Sequence, residues 1–295
     1  MLDYLTDYLG GTAQNWPPAA ASLLLALAAG VVLWFVHSAL TRFDDREVLF
    51  SASAVPAYLV QRSSLVLAFA VAALPTVVRN GDYGWSALIG QAMNLAWVVF
   101  ALLGVRYLVD VVVLPKVDNT AEMLKGNSAV GVVEAGFYIG FGFVLNGSLT
   151  GASPSLGTGL ASTVVFGGLG LALMVATWRF HEAVTPWNVR ARIRERRLAP
   201  AFEAAGVLAG VGIVVREGVA GDFAGWGVGL VAFFVTALFA VVTLYAFRFV
   251  ANRLVLRGFT LRRIQDEDLV GAAAFSAVLM VAVAFVVAAV VSNQL

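Results

Sequence analysis

Two charged side chains, Arg62 and Glu134, stand inside long apolar segments of this 295-residue chain. Ionisable groups are costly in hydrocarbon, so they usually face a partner or an ion path. An arginine and a glutamate on neighbouring helices can form an ion pair that fixes helix register. The same pair can also help to bind a proton or a small cation. The residue types leave both roles open.

The positions of these two residues predict that they meet. Glu134 lies seven residues past Asn127, which begins the fourth apolar segment, or ~10 Å along a helix. A 75-residue offset places Leu59 opposite Glu134. Arg62 is three residues, ~4.5 Å, deeper than Leu59 and within reach of its own long side chain. We therefore predict an ion pair between Arg62 and Glu134, with Gln61 as an auxiliary hydrogen-bonding group.

Composition requires these residues to be held by helices in a membrane. The chain is 60% hydrophobic and 13% charged, with a mean hydropathy of +0.87, which leaves too little polar surface to coat a soluble globule. A span needs ~20 mostly apolar residues. Eight spans are predicted, over residues 18–40, 51–78, 85–113, 127–150, 157–183, 200–220, 224–250 and 269–291. The fold class is an all-α polytopic membrane protein.

Short sequence similarities predict that the spans are four repeated hairpins. Ser-Ala-Val occurs at 53–55 and again at 128–130, each time where an even-numbered span begins. Residues 122–126 (Glu-Met-Leu-Lys-Gly) resemble residues 267–271 (Glu-Asp-Leu-Val-Gly). Two spans return the chain to its starting side, so the units are parallel and differ from the inverted repeats common in transporters. Two tandem four-helix modules are predicted, residues 1–150 and 151–295.

The second hairpin carries a family resemblance. Its residues are Glu122, Gly126-Asn127, Ala129 and the run Gly-Phe-Tyr-Ile-Gly-Phe at 136–141. They resemble the YjfL-like family of uncharacterised bacterial inner-membrane proteins, clearly over 106–150 and partly over 248–291. The resemblance implies a doubled protein of the inner membrane and supplies no chemistry. The first and third hairpins depart from the pattern, with Ala52-Ser53 and Ala199-Pro200 in place of Gly-Asn.

The distribution of basic residues predicts the orientation. Sixteen of the nineteen Lys and Arg residues fall at the connections after spans 1, 3, 5 and 7. Short loops rich in Lys and Arg stay in the cytoplasm, so both termini should lie outside. Asp3 and Asp7 precede the first span without a positive segment, so no removable signal peptide is expected. Arg106, Arg179 and Arg248, at the cytoplasmic ends of odd spans, are expected to extend toward the interface.

The longest connection is rich in arginine. It carries Arg190, Arg192, Arg194, Arg196 and Arg197. We interpret it as an interfacial helix on anionic lipid headgroups, or as a docking point for an acidic cytoplasmic partner. No nucleic acid partner is expected.

The remaining polar and small residues within the spans indicate helix packing. Gln91 and Asn94, near the middle of span 3, should form hydrogen bonds between helices. Asn127 should cap span 4 with its side chain, and Glu203 should stabilise the start of span 6. Close approach of helices, or a homo-oligomer interface, is indicated by the GxxxG pairs, which are Gly136 with Gly140 and Gly206 with Gly210.

Enzymatic chemistry is not expected. The chain has no cysteine, so thiolate metal sites and disulfides are excluded. His37, His181 and Glu182 are the residues most like those of an enzyme site, but two histidines in different hairpins lack the spacing of a metal motif. No metal or cofactor is predicted.

Two functions remain. We favour a channel or transporter for a small ion that uses the Glu134 and Arg62 pair. The alternative is a non-transporting membrane scaffold, or a stress-associated protein, that binds lipid or cytoplasmic partners through its arginine-rich loops. A solvated Glu134 would favour the first, and a dry, fully bonded pair would favour the second.

Overall fold

The computed structural model describes residues 2–41, 55–83, 85–115, 118–254 and 260–292, and all regular structure in these ranges is helical. Side chains are described from Pro17 onward within those ranges, except at 78–83, 86 and 251–254. The helices, in chain order, are α1 (Leu2–Thr41), α2 (Pro56–Tyr83), α3 (Leu88–Leu108), α4 (Asn119–Leu124), α5 (Ser128–Leu149), α6 (Leu156–Val184), α7 (Val189–Arg194), α8 (Leu198–Val219), α9 (Trp226–Leu254), α10 (Leu261–Asp266) and α11 (Val270–Ser292).

Eight of these helices are long and apolar enough to cross a membrane. The candidate spans are Pro17–Thr41, Pro56–Val77, Leu88–Val113, Ser128–Leu149, Leu156–Val184, Leu198–Val219, Trp226–Val250 and Val270–Ser292. The all-helical fold class with eight spans is therefore confirmed, and the predicted bounds differ by only a few residues. The third span includes one turn of π-helix, Val109–Val113, which follows α3 directly.

Spans 2, 4, 6 and 8, which are helices α2, α5, α8 and α11, form a row at the centre of the bundle. Neighbours in this row run in the same direction: Ala57 of α2 meets Gly131 of α5, and eleven residues further along each helix Ala68 meets Gly142. The two middle helices, α5 and α8, bury most of their side chains. Spans 1, 3, 5 and 7, which are helices α1, α3, α6 and α9, lie outside the row and expose large apolar side chains.

Glycines allow the central helices to approach closely. A Cβ on Gly136 would lie 2.5 Å from Ala205 Cα of α8, and a Cβ on Gly140 would lie 2.5 Å from Leu208 O. A Cβ on Gly206 would lie 2.8 Å from Ala277 Cα of α11, whereas Gly210 meets only side chains. Three of the four glycines singled out in the sequence thus lie against the backbone of a neighbouring helix.

Three short helices, α4, α7 and α10, precede the long helices α5, α8 and α11. Each is capped by a side chain, from Asp118, Asn188 or Thr260, that accepts a hydrogen bond from a backbone N–H three residues on. We call this end of the bundle the arginine-rich end, because α7 and the ends of α3, α6 and α9 carry its arginines. The other end, with the loops at 150–155 and 220–225, is called the far end.

The arginines of α7 and the turn after it mostly bind this chain's own groups. Arg190 pairs with Glu182 of α6 (Nε to Oε1, 2.6 Å), and Arg192 bonds Asp266 of α10 (2.6 Å). Arg194 donates to Pro115 O (2.7 Å), and Arg197 donates to the carbonyls of Gln265 and Asp266 (3.2 and 3.1 Å). These side chains therefore tie α7 and the turn after it to α6, to α10 and to Pro115 in the segment after the third span. Arg196 is exposed, with a positive φ of 66°.

Candidate intramembrane ion site

Arg62 is buried at the contact of α2 with α1. Its side chain is 2% exposed. Its Nε donates to Tyr58 Oη (2.7 Å), its Nη2 donates to Ser38 Oγ (2.6 Å), and its Nη1 contacts His37 Nδ1. The guanidinium also lies over the Trp34 ring, 4.8 Å from its centroid. Hydroxyls, an imidazole and an aromatic face are thus among the groups that contact the Arg62 guanidinium.

His37 extends this cluster to α5. Its Nε2 lies 3.3 Å from Tyr138 Oη. A guanidinium can only donate, so His37 Nδ1 must accept, and the proton of the neutral ring is assigned to Nε2. Arg62 is therefore linked through His37 to Tyr138, which lies one helical turn beyond Glu134.

Glu134 is not part of the Arg62 cluster and lies at the contact of α5 with α2. It is 1% exposed, and its Oε2 accepts a hydrogen bond from Gln61 Nε2 (2.6 Å). Its Oε1 is buried without a hydrogen-bond partner. A carboxyl oxygen in this state can accept a proton or coordinate a cation. Glu134 is the seventh residue of α5, about 9 Å along the axis from the first.

The predicted direct ion pair between Arg62 and Glu134 is wrong. The helices α2 and α5 do pack together, but the side chain that reaches Glu134 is Gln61, and Arg62 contacts α1 instead. The physical reason is helix geometry: consecutive residues point ~100° apart, so Gln61 and Arg62 cannot both face α5. The register between the helices was predicted correctly to within one residue.

Further polar groups surround the Glu134 carboxyl. The charges of Asp110 and Arg106 lie within Coulombic range of it, and the Asn119 side chain is also near it. Asp110 lies in the π turn after α3 and accepts a hydrogen bond from Asn119 Nδ2 of α4 (2.7 Å). Single π turns are frequent at functional sites. The sequence did not reveal this part of the site, since a π turn has no clear sequence signal.

Among the residues that the structure describes, a buried ion pair lies in the second half of the chain. Arg248 of α9 pairs through Nη2 with Glu203 Oε1 of α8, and the two side chains are 12% and 5% exposed. Gln265 Nε2 donates to Glu203 Oε2 (2.9 Å). The expectation that Arg248 extends to the interface is therefore wrong, because a carboxylate on the neighbouring helix lies within its reach. Arg106 bonds Thr120 Oγ1 (3.0 Å) instead.

The histidines do not form a metal site. His37 binds Arg62 and Tyr138, while His181 Nδ1 lies 3.0 Å from Tyr245 Oη of α9. Within the described ranges, no group of three or more His, Cys, Asp or Glu side chains is placed to hold a metal ion.

Gln91 and Asn127 both join different helices. Gln91 Nε2 donates to Ser22 O of α1 (3.0 Å). Asn127 makes no capping hydrogen bond, so that prediction is wrong. Its Nδ2 donates instead to Ile193 O of α7 (3.1 Å), because α7 lies against the start of α5. Asn94 is partly buried and lines a cavity at the far end.

That far-end cavity has a volume of about 950 Å³ and lies between α3, α6 and the loops that follow α5 and α8. Its lining reaches α5 only at Ser148 and Leu149, roughly 20 Å along the axis from Glu134. The buried side chains of Phe137, Phe141 and Leu145 occupy α5 between them. Along α5, three buried apolar side chains therefore lie between Glu134 and the cavity, and we call them the apolar layer.

Comparison with known families shows to which family the chain belongs. The profile described as Domain of Unknown Function (DUF350) matches residues 11–153 and, a second time, residues 155–291. The chain belongs to this family. The resemblance to the YjfL-like proteins is compatible with that membership.

One curated relative fits the same description. The chain is 22% identical over 143 residues to a "UPF0719 transmembrane protein" of Aquifex aeolicus (strain VF5). The match covers 48% of this chain and 53% of the relative, so the chain spans about half the length of that protein. No solved structure gives a significant match. The chain is thus an integral membrane protein of an uncharacterised family.

His37 offers a first test of the Arg62 cluster. Replacing His37 by leucine removes the acceptor of Arg62 Nη1, and we expect the free energy of unfolding to fall by about 1–3 kcal/mol. Tyr138→Phe removes only one hydroxyl and should cost about 0.5–1.5 kcal/mol. Both can be measured by thermal unfolding in detergent. A His37→Leu protein as stable as the wild type would contradict this account of the cluster.

Proposed function

We propose that the protein transports a small cation, most simply a proton, with Glu134 as the ion-binding group. The observation that carries the proposal is the Glu134 carboxyl, which is buried, bonded by Gln61 at one oxygen and without a hydrogen-bond partner at the other. A structural carboxylate would be expected to use both oxygens, as buried polar groups generally do. Glu203 differs from Glu134 in having a charged partner, because its Oε1 forms an ion pair with Arg248 while its Oε2 accepts from Gln265.

The apolar layer around Phe137, Phe141 and Leu145 favours a carrier over an open pore. An ion that reaches Glu134 from the arginine-rich end cannot continue to the far-end cavity while this layer is closed. We propose that Glu134 becomes accessible from one end at a time. The proposed location is the bacterial inner membrane, with the arginine-rich end in the cytoplasm, both termini outside and two tandem four-helix modules.

Flux across liposomes tests the proposal. Purified protein should carry protons, reported by a trapped pH-sensitive dye under an imposed membrane potential, and Glu134→Gln should reduce the flux to near the level of protein-free liposomes. Glutamine has the shape of glutamate without its ionisable group. Glu122→Gln is the matched control, since Glu122 pairs with Lys125 at the surface of α4 (3.2 Å). The same assay with Na⁺ and K⁺ identifies the cation.

Wild-type flux of H⁺, Na⁺ and K⁺ equal to that of empty liposomes would contradict the proposal. Equal flux in Glu134→Gln and wild type would show that Glu134 is not the ion-binding group. The absence of cysteine adds a second measurement. Glu134→Cys should react with a membrane-impermeant thiol reagent from at least one side of the bilayer.

A non-transporting scaffold is the second candidate, and the same apolar layer is the observation that favours it. Binding of acidic partners or lipid through the arginine-rich loop is less well supported, because Arg190, Arg192, Arg194 and Arg197 are bonded within the chain. A Glu134→Cys protein that folds and reacts from neither side would favour the scaffold. The homo-oligomer stays a prediction, and it is compatible with either function.

A further inference from the structure

The far-end cavity is large enough for a ligand, and hydrogen bonds between two loops hold its rim together. Phe223 N donates to Ala152 O (2.8 Å), and Ala152 N donates to Asp222 Oδ1 (2.5 Å). These bonds join the loop after α5 to the loop after α8. A volume of about 950 Å³ is at the upper end of the range usual for small-molecule sites.

Most hydroxyl groups on the cavity lining already donate their hydrogen within the chain. Six of them already donate their hydrogen to a backbone carbonyl of this chain, namely Thr76, Ser148, Thr150, Ser153, Ser162 and Thr163. A hydroxyl has one hydrogen and two lone pairs. These six oxygens therefore offer a ligand their remaining lone pairs, which are acceptors.

The side chain of Gln91 also has an unused hydrogen-bond acceptor. It lines the cavity, is 2% exposed and donates through Nε2 to Ser22 O, while its Oε1 has no hydrogen-bond partner. A buried amide oxygen without a donor is costly, at ~1–3 kcal/mol. It is the kind of group that a ligand with donors or positive charge would satisfy.

The charged groups on the lining are acidic. Glu217 and Asp222 contribute carboxylates, and no Lys or Arg occurs among the lining residues whose side chains are described. Arg216 lies beside Glu217 but is bonded to it and to Asn146 Oδ1. Asp222 accepts only a backbone N–H at Oδ1, so its negative charge is not balanced by a described ion pair.

We propose that the far-end cavity is a cation-binding site, with Asp222, Gln91 and the surrounding hydroxyl oxygens as its acceptors. The chemistry shared by possible ligands is positive charge together with the capacity to be coordinated or hydrogen-bonded by oxygen. A hydrated metal ion and an ammonium group both have it. If the cation bound here is the one transported, the cavity is the place where the ion enters. That part of the inference rests on the proposed function and adds to it the end of the bundle at which the ion enters.

Calorimetric titration of the detergent-purified protein tests the site. Mn²⁺ probes for a metal ion, protonated ethanolamine probes for an ammonium group, and sulfate is the anion control. We expect saturable binding of at least one cation and none of sulfate. Asp222→Asn should weaken binding at least about tenfold, because a charged acceptor is lost, while Asn Oδ1 can still accept from Ala152 N. Glu195→Gln, an exposed carboxylate at the arginine-rich end, should bind as the wild type does.

Gln91→Leu gives a second variant on a different wall of the cavity, should Asp222→Asn not fold. Saturable binding of Mn²⁺ alone identifies the ligand as a metal ion, and binding of ethanolamine alone identifies an ammonium group. The inference is overturned if neither cation binds saturably, if sulfate binds instead, or if neither folded variant weakens binding. Glu134→Gln should retain cavity binding, so failure of transport and failure of this site are separate outcomes.

Discussion

Replacing Glu203 by leucine should lower the free energy of unfolding by about 3–5 kcal/mol, the usual cost of breaking a buried ion pair by removing one partner. The variant leaves Arg248 without its carboxylate and Gln265 Nε2 without its acceptor. Arg248→Leu should cost less than Glu203→Leu, because Gln265 still bonds the carboxyl. Thermal and denaturant unfolding in detergent can measure both.

The chain supplies a matched control for this prediction. Arg263 and Glu267 form an ion pair at the surface (2.8 Å), with side chains 52% and 48% exposed. Glu267→Leu should change stability by no more than about 1 kcal/mol. The double variant Glu203→Leu/Arg248→Leu should be more stable than the sum of the single changes predicts. Equal costs at the buried and exposed pairs would contradict the assignment of Glu203 and Arg248 as a buried pair.

Gly140→Leu should prevent the two halves of the bundle from packing. A Cβ at Gly140 would lie 2.5 Å from Leu208 O and 2.6 Å from Met174 Cε, so α5 and α8 would have to separate along their whole contact. Overpacking by smaller groups already costs about 1–3 kcal/mol, which is the effect expected for Gly140→Ala. For leucine we expect loss of the folded monodisperse protein in size-exclusion chromatography.

Glycines on the outer helices provide the comparison. A Cβ at Gly104 of α3 or at Gly168 of α6 would meet nothing within 4 Å. Gly104→Ala and Gly168→Ala should therefore leave the elution profile unchanged and should not lower the melting temperature, because alanine is the better helix former. If Gly140→Leu eluted and melted like these two variants, the close approach of α5 and α8 would be contradicted.

The number and extent of the spans could be predicted from the sequence because a span is defined by the hydrophobicity of a continuous segment. Which residues face each other could not. The prediction for Arg62 and Glu134 used depth along the helix alone, and depth was nearly correct, since Gln61 is the residue that meets Glu134. Rotation about the helix axis is set by packing against all neighbours, and no local pattern reports it.

The same limitation affects the arginines at the ends of the odd spans. Arg106 and Arg248 were assigned one role from one recurring motif, yet Arg106 bonds a hydroxyl on α4 and Arg248 pairs with Glu203. A motif fixes the position of a side chain along the helix, whereas its partner depends on which residue the adjacent helix presents. Tyr138 had a readable signal, since a tyrosine four residues from a buried glutamate lies on the same helix face.

The parallel row of central helices has an electrostatic consequence. Each α-helix carries a macrodipole equivalent to about half an elementary charge, positive at its amino end and negative at its carboxyl end. The dipoles of α2, α5, α8 and α11 all point the same way, and those of the outer spans α1, α3, α6 and α9 point the opposite way. The carboxyl ends of the central helices are at the far end, where Leu149 and Val219 line the cavity. The amino ends of α3 and α6 lie at the same cavity, at Ile89 and Leu156. The helix ends around it therefore carry partial charges of both signs, and the side-chain carboxylates and oxygens decide its polarity.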